Sequence, residues 1–462
     1  MILGRELELT LLQELWRENR FIFTVIYGSK HVGKTTLIHE FCRGKKTIFF
    51  SSLNSTKNVN LASFSNALFS SISPSLSVHP TLTELSSILN NLNTYAQNKK
   101  IVVVFDNFQY LLSSIPDCLE TFQHFMEQFF LNTNLFLVFI GSPSSLMEQK
   151  VLGEKSPLYG LCTESLKLSP FSYKETGFFF SSYSHAQKAL VYGVTGGIPY
   201  YFSFFSQEKE IHKNILSAFF QYNSPLLEMP AYCLNQEFSD LKLYNGILTN
   251  MAAGKKMLQE LSEAVHLEPE LLLKYLKNLS TLEIIQKRVP LLSNDNKNNF
   301  YEINNYMFYF WYRFVPFHMS YITSGRMPFF YQRFVEDRLD SYMEQVFTKI
   351  CTDYLSLYCP FLPMEIAQIG SWWDQSPLFG DSLYIPIVAV DPEENQALFA
   401  SASYSSLMDV EDYIKIKKAS LHFTSMKARY YYLFSCKGFT KQLQHLAAKE
   451  NVFLFLLPDL YA

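Results

Sequence analysis

Uninterrupted apolar runs mark the first third of the chain. They cover residues 21–27, 101–105 and 135–140, and small or polar residues follow each of them. A short apolar run without polar alternation is typical of a strand that is buried on both faces, as in a parallel sheet covered by helices. The pattern therefore predicts an α/β fold with a parallel sheet in this part of the chain.

A different pattern follows in residues 243–303, where short amphipathic helices precede a hairpin. The expected elements are helices over 243–252 and 256–265, a helix from Glu268, and strands over 282–290 and 300–303 with a polar turn at 293–299. In the third helix Leu272, Leu276 and Leu279 share one face, which indicates a core face. Three helices and a hairpin predict a winged helix-turn-helix.

The composition excludes several classes of protein. Of the 462 residues, 48% are apolar and 18% are charged, which is typical of a globular chain and not of a disordered one. The net charge of −3 provides no general attraction to nucleic acid or to an anionic membrane. Because no apolar run is long enough for a membrane helix, and Arg5, Glu6 and Glu8 stand where a signal peptide would be apolar, we expect a cytoplasmic protein.

A glycine-rich motif directly after the first apolar run has the spacing GxxxxGKT, and a helical pattern follows it. Its glycines allow the backbone to wrap around a phosphate at the positive end of that helix, and its lysine can reach the outer phosphates. The alternative, a glycine-rich turn that binds nothing, does not account for this context. The predicted ATP-binding residues of the loop are Gly28, Ser29, Lys30, His31, Val32, Gly33, Lys34, Thr35 and Thr36.

Two further strand ends supply candidate polar groups. Asp106 ends the second apolar run and is predicted to hold Mg²⁺ together with the Thr35 hydroxyl, although an acid at this place could also cap the next helix. The following residue is Asn107, where many ATPases have a glutamate that polarises water. Because an amide cannot accept a proton, we expect slow or absent hydrolysis. Ser142, after the third run, could sense the γ-phosphate, or belong to an ordinary turn.

Together with these motifs, two weaker ones resemble the archaeal-type P-loop ATPases of the STAND and AAA+-like class, which also occur in bacteria. Residues 2–8 fit the pattern hhGRExE, and residues 195–200 resemble a GxP motif. The resemblance implies that Gly4 and Arg5 lie along the adenine and that Pro199 closes over the nucleotide from a helical lid. Residues 196–199 could instead be a helix end. Arginines that this family usually has after "LYG" are missing after residue 160.

The same family carries a restriction-endonuclease-like domain at its C-terminal end, and residues from about 339 resemble it. Such nucleases need carboxylates that hold Mg²⁺ and a lysine that orients water. Position by position, the resemblance places Thr348, Pro386, Ser401 and Ser403 where these groups should stand. Asp391, which we expect just after the strand that carries Pro386, is a weak substitute for the missing metal-binding carboxylate. The sequence predicts an α/β fold of this type without nuclease activity.

The whole chain is thus expected to contain a P-loop ATPase core (1–165), a helical lid (166–230), a winged helix (231–312) and a degenerate nuclease-like domain (313–462). The leading hypothesis is an ATP-binding switch protein that binds ATP or ADP, with a protein partner or a second copy on the C-terminal domain.

The alternative is a DNA-binding regulator or partner scaffold in which nucleotide is structural. The winged helix has six basic residues against five acids, which is close to neutral: Lys255, Lys256, Lys274, Lys277, Lys287 and Arg288 against Glu260, Glu263, Glu268, Glu270 and Glu283.

Overall fold

The computed structural model describes residues 3–75, 79–97, 99–292, 299–374, 383–391 and 393–462. They form two compact units, residues 1–170 and residues 171–462. Apart from Asn299, the polar turn expected at 293–299 lies outside the described residues. The finer division into four domains remains a prediction.

A five-stranded parallel sheet organises the first unit. The strands are β1 (Ile22–Tyr27), β2 (Thr47–Ser51), β3 (Ile101–Asp106), β4 (Leu135–Gly141) and β5 (Glu164–Lys167), in the order β2-β3-β4-β1-β5. Every residue of β1, β3 and β4 is buried, as the apolar runs predict. Strand β3, which ends in Asp106, is not the direct neighbour of β1, because β4 lies between them.

Helices cover both faces of this sheet and bury two apolar layers against it. One layer is centred on Phe105 and Phe139, and the other on Ile26 and Val104, so side chains of the central strands alternate between them. The helices are α1 (Glu6–Arg17), α2 (Lys34–Cys42), α3 (Lys57–Ile72), α4 (Leu85–Ala96), α5 (Phe108–Ser114), α6 (Cys118–Gln128) and α7 (Ser144–Leu146).

The second unit begins with a group of short helices. They are α8 (Tyr173–Phe179), α9 (His185–Thr195), α10 (Pro199–Phe202), α11 (Ile211–Phe219) and α12 (Met229–Asn235). Serine caps start two of them, because Ser172 and Ser184 each form a reciprocal pair of hydrogen bonds with the residue three positions on. These helices occupy most of the segment expected to form the lid.

Three helices and a two-stranded antiparallel sheet follow, as the pattern over 243–303 predicts. They are α13 (Lys242–Ala252), α14 (Leu258–Val265), α15 (Pro269–Thr281), β6 (Ile285–Arg288) and β7 (Phe300–Ile303). In α15 the residues Leu272, Leu276 and Leu279 are all buried, which confirms the predicted core face.

Four further helices follow: α16 (Tyr306–Phe314), α17 (Met319–Thr323), α18 (Met327–Tyr331) and α19 (Asp337–Asp353). The aromatic α16 is largely buried, and Tyr342 of α19 donates a hydrogen bond to the carbonyl of Gly193, 2.6 Å away, so helices distant in sequence share one core.

A mixed five-stranded sheet and two helices complete the second unit. The strands are β8 (Gln368–Trp373), β9 (Tyr384–Asp391), β10 (Gln396–Ser403), β11 (Ala428–Ser435) and β12 (Val452–Leu456), and the helices are α20 (Val410–Ser420) and α21 (Lys441–Ala447). Their order is β12-β11-β10-β9-β8; the first three strands are parallel to one another, and the remaining pairings are antiparallel. Helix α19 packs on one face, and α20 and α21 pack on the other.

The structure shows the surroundings of two residues of β9, Pro386 and Asp391. The strand is internal to the sheet and its register against β8 shifts between Gly370 and Trp372, opposite Pro386, so the proline lies at a bulge, where a missing donor is tolerated. Asp391 is the last residue of the strand and does not follow it. Its carboxylate accepts hydrogen bonds from the backbone N–H groups of Glu393 and Glu394 and thereby forms the next turn.

No helix in the described part of the chain is both long enough and apolar enough to span a bilayer.

Candidate functional site

The loop over residues 28–33 connects the carboxyl end of β1 to the first turn of α2. Gly28 has a φ of 153° and Gly33 a φ of 95°, both of which L side chains rarely adopt. A Cβ added to Gly28 would lie 2.1 Å from the carbonyl oxygen of Leu168, which is backbone and cannot move aside cheaply. The two glycines are therefore required by the path of the loop, and the loop is packed closely against the residue after β5.

We expect Gly28→Ala to lower the free energy of unfolding by more than about 3 kcal/mol, because the methyl group adds a backbone clash to an unfavourable φ. Gly44→Ala is the matched control. Gly44 has a φ of 76° with nothing near its added Cβ, so only the conformational cost of about 1–2 kcal/mol applies. Urea denaturation of both variants measures the difference. Equal losses would show that Leu168 does not constrain the loop.

Lys34 lies at the first position of α2 and points back along the 28–33 loop. Its Nζ donates to the carbonyl oxygens of Gly28, at 2.9 Å, and Ser29, at 2.7 Å. Only 8% of the residue is exposed. The ammonium group thus lies inside the curve of the loop, where its charge is partly removed from water.

Thr35 and Asp106 meet although they are 71 residues apart in sequence. The Thr35 hydroxyl donates to Oδ2 of Asp106 at 3.0 Å. The other oxygen of Asp106 accepts from the backbone N–H of Asn107 at 2.9 Å. Because β1 and β3 are parallel strands of one sheet, their carboxyl ends lie at the same edge, and this brings the two side chains together.

Asn107 follows Asp106 with a left-handed backbone, φ 54°, which asparagine tolerates better than most residues. Its side-chain amide donates to the hydroxyl of Ser51, at the end of the neighbouring strand β2, at 3.2 Å. The position where many ATPases have a carboxylate is therefore occupied by an amide whose orientation is set by a serine. Sequence reasoning did not single out Ser51, because nothing in its local pattern distinguishes it from other strand ends.

Ser142 follows β4 at the same edge of the sheet and is almost fully buried. Its backbone N–H donates to Oε1 of Gln109, at 3.2 Å. Gln109 itself is buried in α5 and thus ties the end of β4 to the segment after β3. Sequence reasoning also missed Gln109. Its position three residues after Asp106, in a helix that starts at the strand end, could have indicated it.

Arg5 reaches the same loop from the N-terminal segment. Its guanidinium donates to the carbonyl oxygens of Val32, at 3.4 Å, and Ser169, at 2.5 Å, and it pairs with Glu8 at 3.1 Å. The preceding Gly4, with a φ of 77°, donates its N–H to Glu6. Arg5, a residue of the predicted N-terminal motif, therefore stabilises the loop by hydrogen bonds from its side chain to backbone carbonyl groups.

The other loop residues differ in exposure. Val32 is fully buried, Thr36 is exposed, and Ser29 and Lys30 are intermediate. Burial and the nearby charges of Lys30 and Lys34 lower the pKa of His31 to about 4, so this histidine is neutral at physiological pH. Any favourable charge that the loop offers to an anion at neutral pH therefore comes from lysine and from backbone N–H groups, and not from the imidazole.

Pro199, the remaining predicted residue, belongs to the second unit and starts α10. The helix before it, α9, ends at Gly196 in a left-handed conformation, as the alternative interpretation of this segment predicts. Gly197 has a further constraint, because an added Cβ would lie 1.9 Å from the carbonyl oxygen of Phe171. The two glycines thus have a local structural role, and the role of Pro199 towards nucleotide remains a prediction.

The positions compared with nuclease residues do not all face one another. Thr348 and Pro386 line a common cavity, and the β10 residue beside them is Ala402. Ser401 and Ser403, which the sequence comparison had placed there, are not among the residues that line it, since side chains alternate along a strand. The β10 residue that faces the cavity is thus Ala402, which is neither a carboxylate nor a lysine.

Comparisons with known proteins agree with the first unit's geometry. An ATPase domain found predominantly in Archaea matches residues 2–205. This part of the chain is therefore similar to archaeal-type ATPase domains. Residues 311–415 match a family of archaeal and bacterial proteins of unknown function.

Two curated relatives come from Methanocaldococcus jannaschii. The uncharacterized protein MJECL04 is 28% identical over 418 residues, which is 88% of this chain and 89% of the relative. The uncharacterized ATP-binding protein MJ0423 is 41% identical over 46 residues, which is 10% of this chain and 78% of the relative.

Solved structures show a more distant likeness. The ORC2 protein of Aeropyrum pernix, solved with ADPNP and ADP, is 15% identical with a TM-score of 0.45, and the match covers 71% of this chain and 95% of that one. Cdc6p of Pyrobaculum aerophilum is 12% identical with a TM-score of 0.34, over 65% of this chain and 90% of that one.

Proposed function

We propose that the ATPase domain binds Mg-ATP at the 28–33 loop, hydrolyses it slowly, and acts as a nucleotide-dependent switch. The observation that carries the proposal is the meeting of Thr35 and Asp106 beside a glycine-hinged loop that encloses the Lys34 ammonium. The similarity of a short segment to the ATP-binding protein MJ0423 supports the same conclusion.

The proposed roles follow from the geometry. Backbone N–H groups of residues 28–36 bind phosphate oxygens at the start of α2, and Lys34 exchanges its contacts with Gly28 and Ser29 for the outer phosphates. Thr35 and Asp106 offer the hard oxygen donors that Mg²⁺ prefers, so they fit this ion. When bound, Mg²⁺ supplies positive charge beside the phosphates.

Slow turnover follows from Asn107. Its amide donates to Ser51 and has no basic site that could take a proton from water, so the usual activation of the attacking water is missing. A bound triphosphate then persists, which is the property that a switch requires. In this proposal the state of the nucleotide is communicated to the rest of the chain, including the helices after residue 170.

The test compares the full chain with ATP, ADP and no nucleotide, each with Mg²⁺. Calorimetry measures affinity, phosphate release measures turnover on the same samples, and limited proteolysis detects a conformational difference. We expect tight binding of both nucleotides, slow phosphate release, and a cleavage pattern that differs between ATP and ADP. Identical cleavage patterns with both nucleotides bound would contradict the switch, and absence of binding would contradict the whole proposal.

The alternative function, DNA binding by the winged helix, receives less support from the structure. Two of the six basic residues counted for it, Lys256 and Arg288, line a cavity, while Lys274, Lys277 and Lys287 are exposed. Phosphate contacts would give DNA retention a steep salt dependence that is independent of nucleotide, and such a result would favour this alternative.

We also expect that the C-terminal part of the chain does not cut nucleic acid. Thr348, Pro386 and Ala402 offer neither ligand charge for a metal nor a cation for the transition state. In the described part of the chain, no three His, Cys, Asp or Glu side chains come together in a way that could hold a metal ion.

The assay incubates the purified chain with single- and double-stranded DNA and RNA, with Mg²⁺ or Mn²⁺, with and without ATP. Cleavage that persists in Lys34→Ala and disappears when residues 339–462 are deleted would disprove this expectation.

A further inference from the structure

The second unit contains a cavity of about 370 Å³ that the proposed function does not use. Its walls come from the β6–β7 hairpin, helix α19 and the strands β8, β9 and β10, so it lies at the place compared above with a nuclease site. Nuclease residues are absent from it, but it is not apolar. Three cationic side chains, those of Lys256, Arg288 and Lys349, and two acidic ones, those of Glu302 and Glu344, line the cavity.

Arg288 is held in a fixed orientation at the edge of this cavity. Its Nε donates to Oε1 of Glu302 on the other strand of the hairpin, and the same oxygen accepts at 2.6 Å from Gln286, which is paired with Glu302 in register. Glu302 is only 8% exposed. Burial alone would lower the pKa of Arg288, but the Glu302 carboxylate reverses this and raises the pKa, so the guanidinium is always charged.

The two terminal amino groups of Arg288 make no hydrogen bond to any residue that the structure describes. The side chain is 34% exposed, and therefore these amino groups are accessible from the cavity. A guanidinium that is fixed through Nε and open at both terminal nitrogens matches the two oxygens of a carboxylate or a phosphate. Glu302 and Gln286 thus preorganise a fork for an oxyanion.

Lys256 provides a second positive charge beside this fork. Its Nζ lies 5.5 Å from the ring centroid of Phe300, the residue paired with Arg288 across the hairpin. Within the described ranges it forms no ion pair with a carboxylate. Its charge is therefore not neutralised by an ion pair within the described residues.

The remaining charges of the lining are neutralised or committed to other partners. Lys349 pairs with Asp353, and Glu344 accepts from the backbone N–H groups of Tyr404, at 3.1 Å, and Ser405, at 2.8 Å. The cationic groups that remain for a ligand are the terminal nitrogens of Arg288 and the ammonium of Lys256, while Glu344 keeps its negative charge at the two backbone N–H groups.

Aromatic side chains form an apolar part of the same cavity. Phe300 and Tyr384 line it, and Trp373 stands behind them with its ring centroid 4.8 Å from that of Phe300. The volume is within the range of small-molecule sites and is much too small for a nucleic-acid duplex. We propose that this cavity binds a small organic anion, whose carboxylate or phosphate group is held by Arg288 and Lys256.

The test uses the full chain with Lys34→Ala, so that the phosphate loop does not contribute. Calorimetry is performed with AMP, glycerol 3-phosphate and succinate, and with adenosine and glycerol as uncharged controls. We expect at least one of the three anions to bind with a dissociation constant of about 1 mM or tighter, and the uncharged compounds not to bind. Tighter binding of the phosphate esters identifies a phosphate ligand, and tighter binding of succinate a carboxylate.

Two variants assign the binding to this cavity. Arg288→Gln with Glu302→Gln removes both charges of the pair together, so no buried carboxylate is left alone, and it should weaken binding at least about tenfold. Lys256→Gln leaves the pair intact and should weaken binding several-fold. The matched control, Lys274→Gln with Glu270→Gln, removes the same two charges from exposed positions of α15 and should have no effect.

Thermal unfolding verifies that each variant is folded. If no anion binds below about 10 mM, or if adenosine binds as tightly as AMP, the cavity is not an anion site. Binding that is unchanged in both Arg288→Gln/Glu302→Gln and Lys256→Gln would overturn the proposal as well. Because the experiment is performed with Lys34→Ala, its outcome does not depend on whether the ATPase domain binds ATP.

Discussion

Lys34→Ala should weaken ATP binding about 100-fold. Hydrogen bonds from a charged donor contribute about 1.5–3 kcal/mol each, and tenfold in affinity corresponds to about 1.4 kcal/mol. The ammonium is already held inside the loop by Gly28 and Ser29, so little ordering of the side chain remains to be done when a phosphate arrives. Calorimetric titration with Mg-ATP gives the dissociation constants of the wild-type chain and of Lys34→Ala.

Two further variants separate this effect from general ones. Lys57→Ala removes the same charge from an exposed position of the first unit, where Lys57 pairs with Glu84, and should leave affinity within about twofold. Lys34→Met keeps the apolar stem that is buried in the loop, so it distinguishes the loss of charge from a loss of packing. If Lys34→Ala binds ATP like the unchanged chain, the phosphate role of the loop is refuted.

Asn107→Glu should raise the turnover of ATP by at least about tenfold, since a positioned general base contributes roughly 10²–10⁴-fold to such reactions. The local structure favours the substitution, because the Ser51 hydroxyl that now accepts from the amide can donate to a carboxylate. The left-handed backbone at this position costs about 1 kcal/mol more for glutamate than for asparagine. Phosphate release under saturating Mg-ATP measures the rate.

The control is Asn107→Gln, which has the same shape and the same backbone strain as Asn107→Glu but no basic site. It should not raise the rate. Combining Asn107→Glu with Lys34→Ala should abolish the gain, because the reaction then lacks its bound substrate. The prediction is wrong if the wild-type chain already turns over several ATP molecules per second and Asn107→Glu slows it. Another residue would then be the base.

Sequence patterns predicted the proposed phosphate site through local constraints. The apolar runs predicted β1, β3 and β4, and each strand is fully buried. The spacing of Gly28 and Gly33 predicted a loop that only glycine can follow, and both residues have positive φ angles. Such features involve neighbours in the chain, so they can be inferred without the fold.

Apart from the meeting of Asp106 and Thr35, which the motifs predicted, contacts between distant segments could not be inferred in this way. The strand order, with β4 between β1 and β3, had no local signal. Likewise, Gln109 meets the N–H of Ser142, and Ser51 meets Asn107. Ser51 in particular has no local signature, because a polar residue at the end of a strand is equally compatible with a turn, a cap or a site.

In the second unit the same distinction holds. The amphipathic pattern predicted the three helices and the hairpin after residue 242, and the register of α15 was correct. The net charge of those elements does not show where each basic residue lies. In the folded structure Arg288 and Lys256 line a cavity together with residues of α19 and β8–β10, which are far away in sequence.

By itself, the sequence determined the secondary structure of the central strands, the glycine path of the phosphate loop and the amide at position 107, because each depends on local sterics or on the chemistry of one side chain. Only the tertiary structure decided which polar groups meet, that Ala402 and not Ser401 or Ser403 faces the cavity, and that Glu302 orients Arg288. These facts depend on strand order, register and packing, in which one residue of shift exchanges the two faces of a strand.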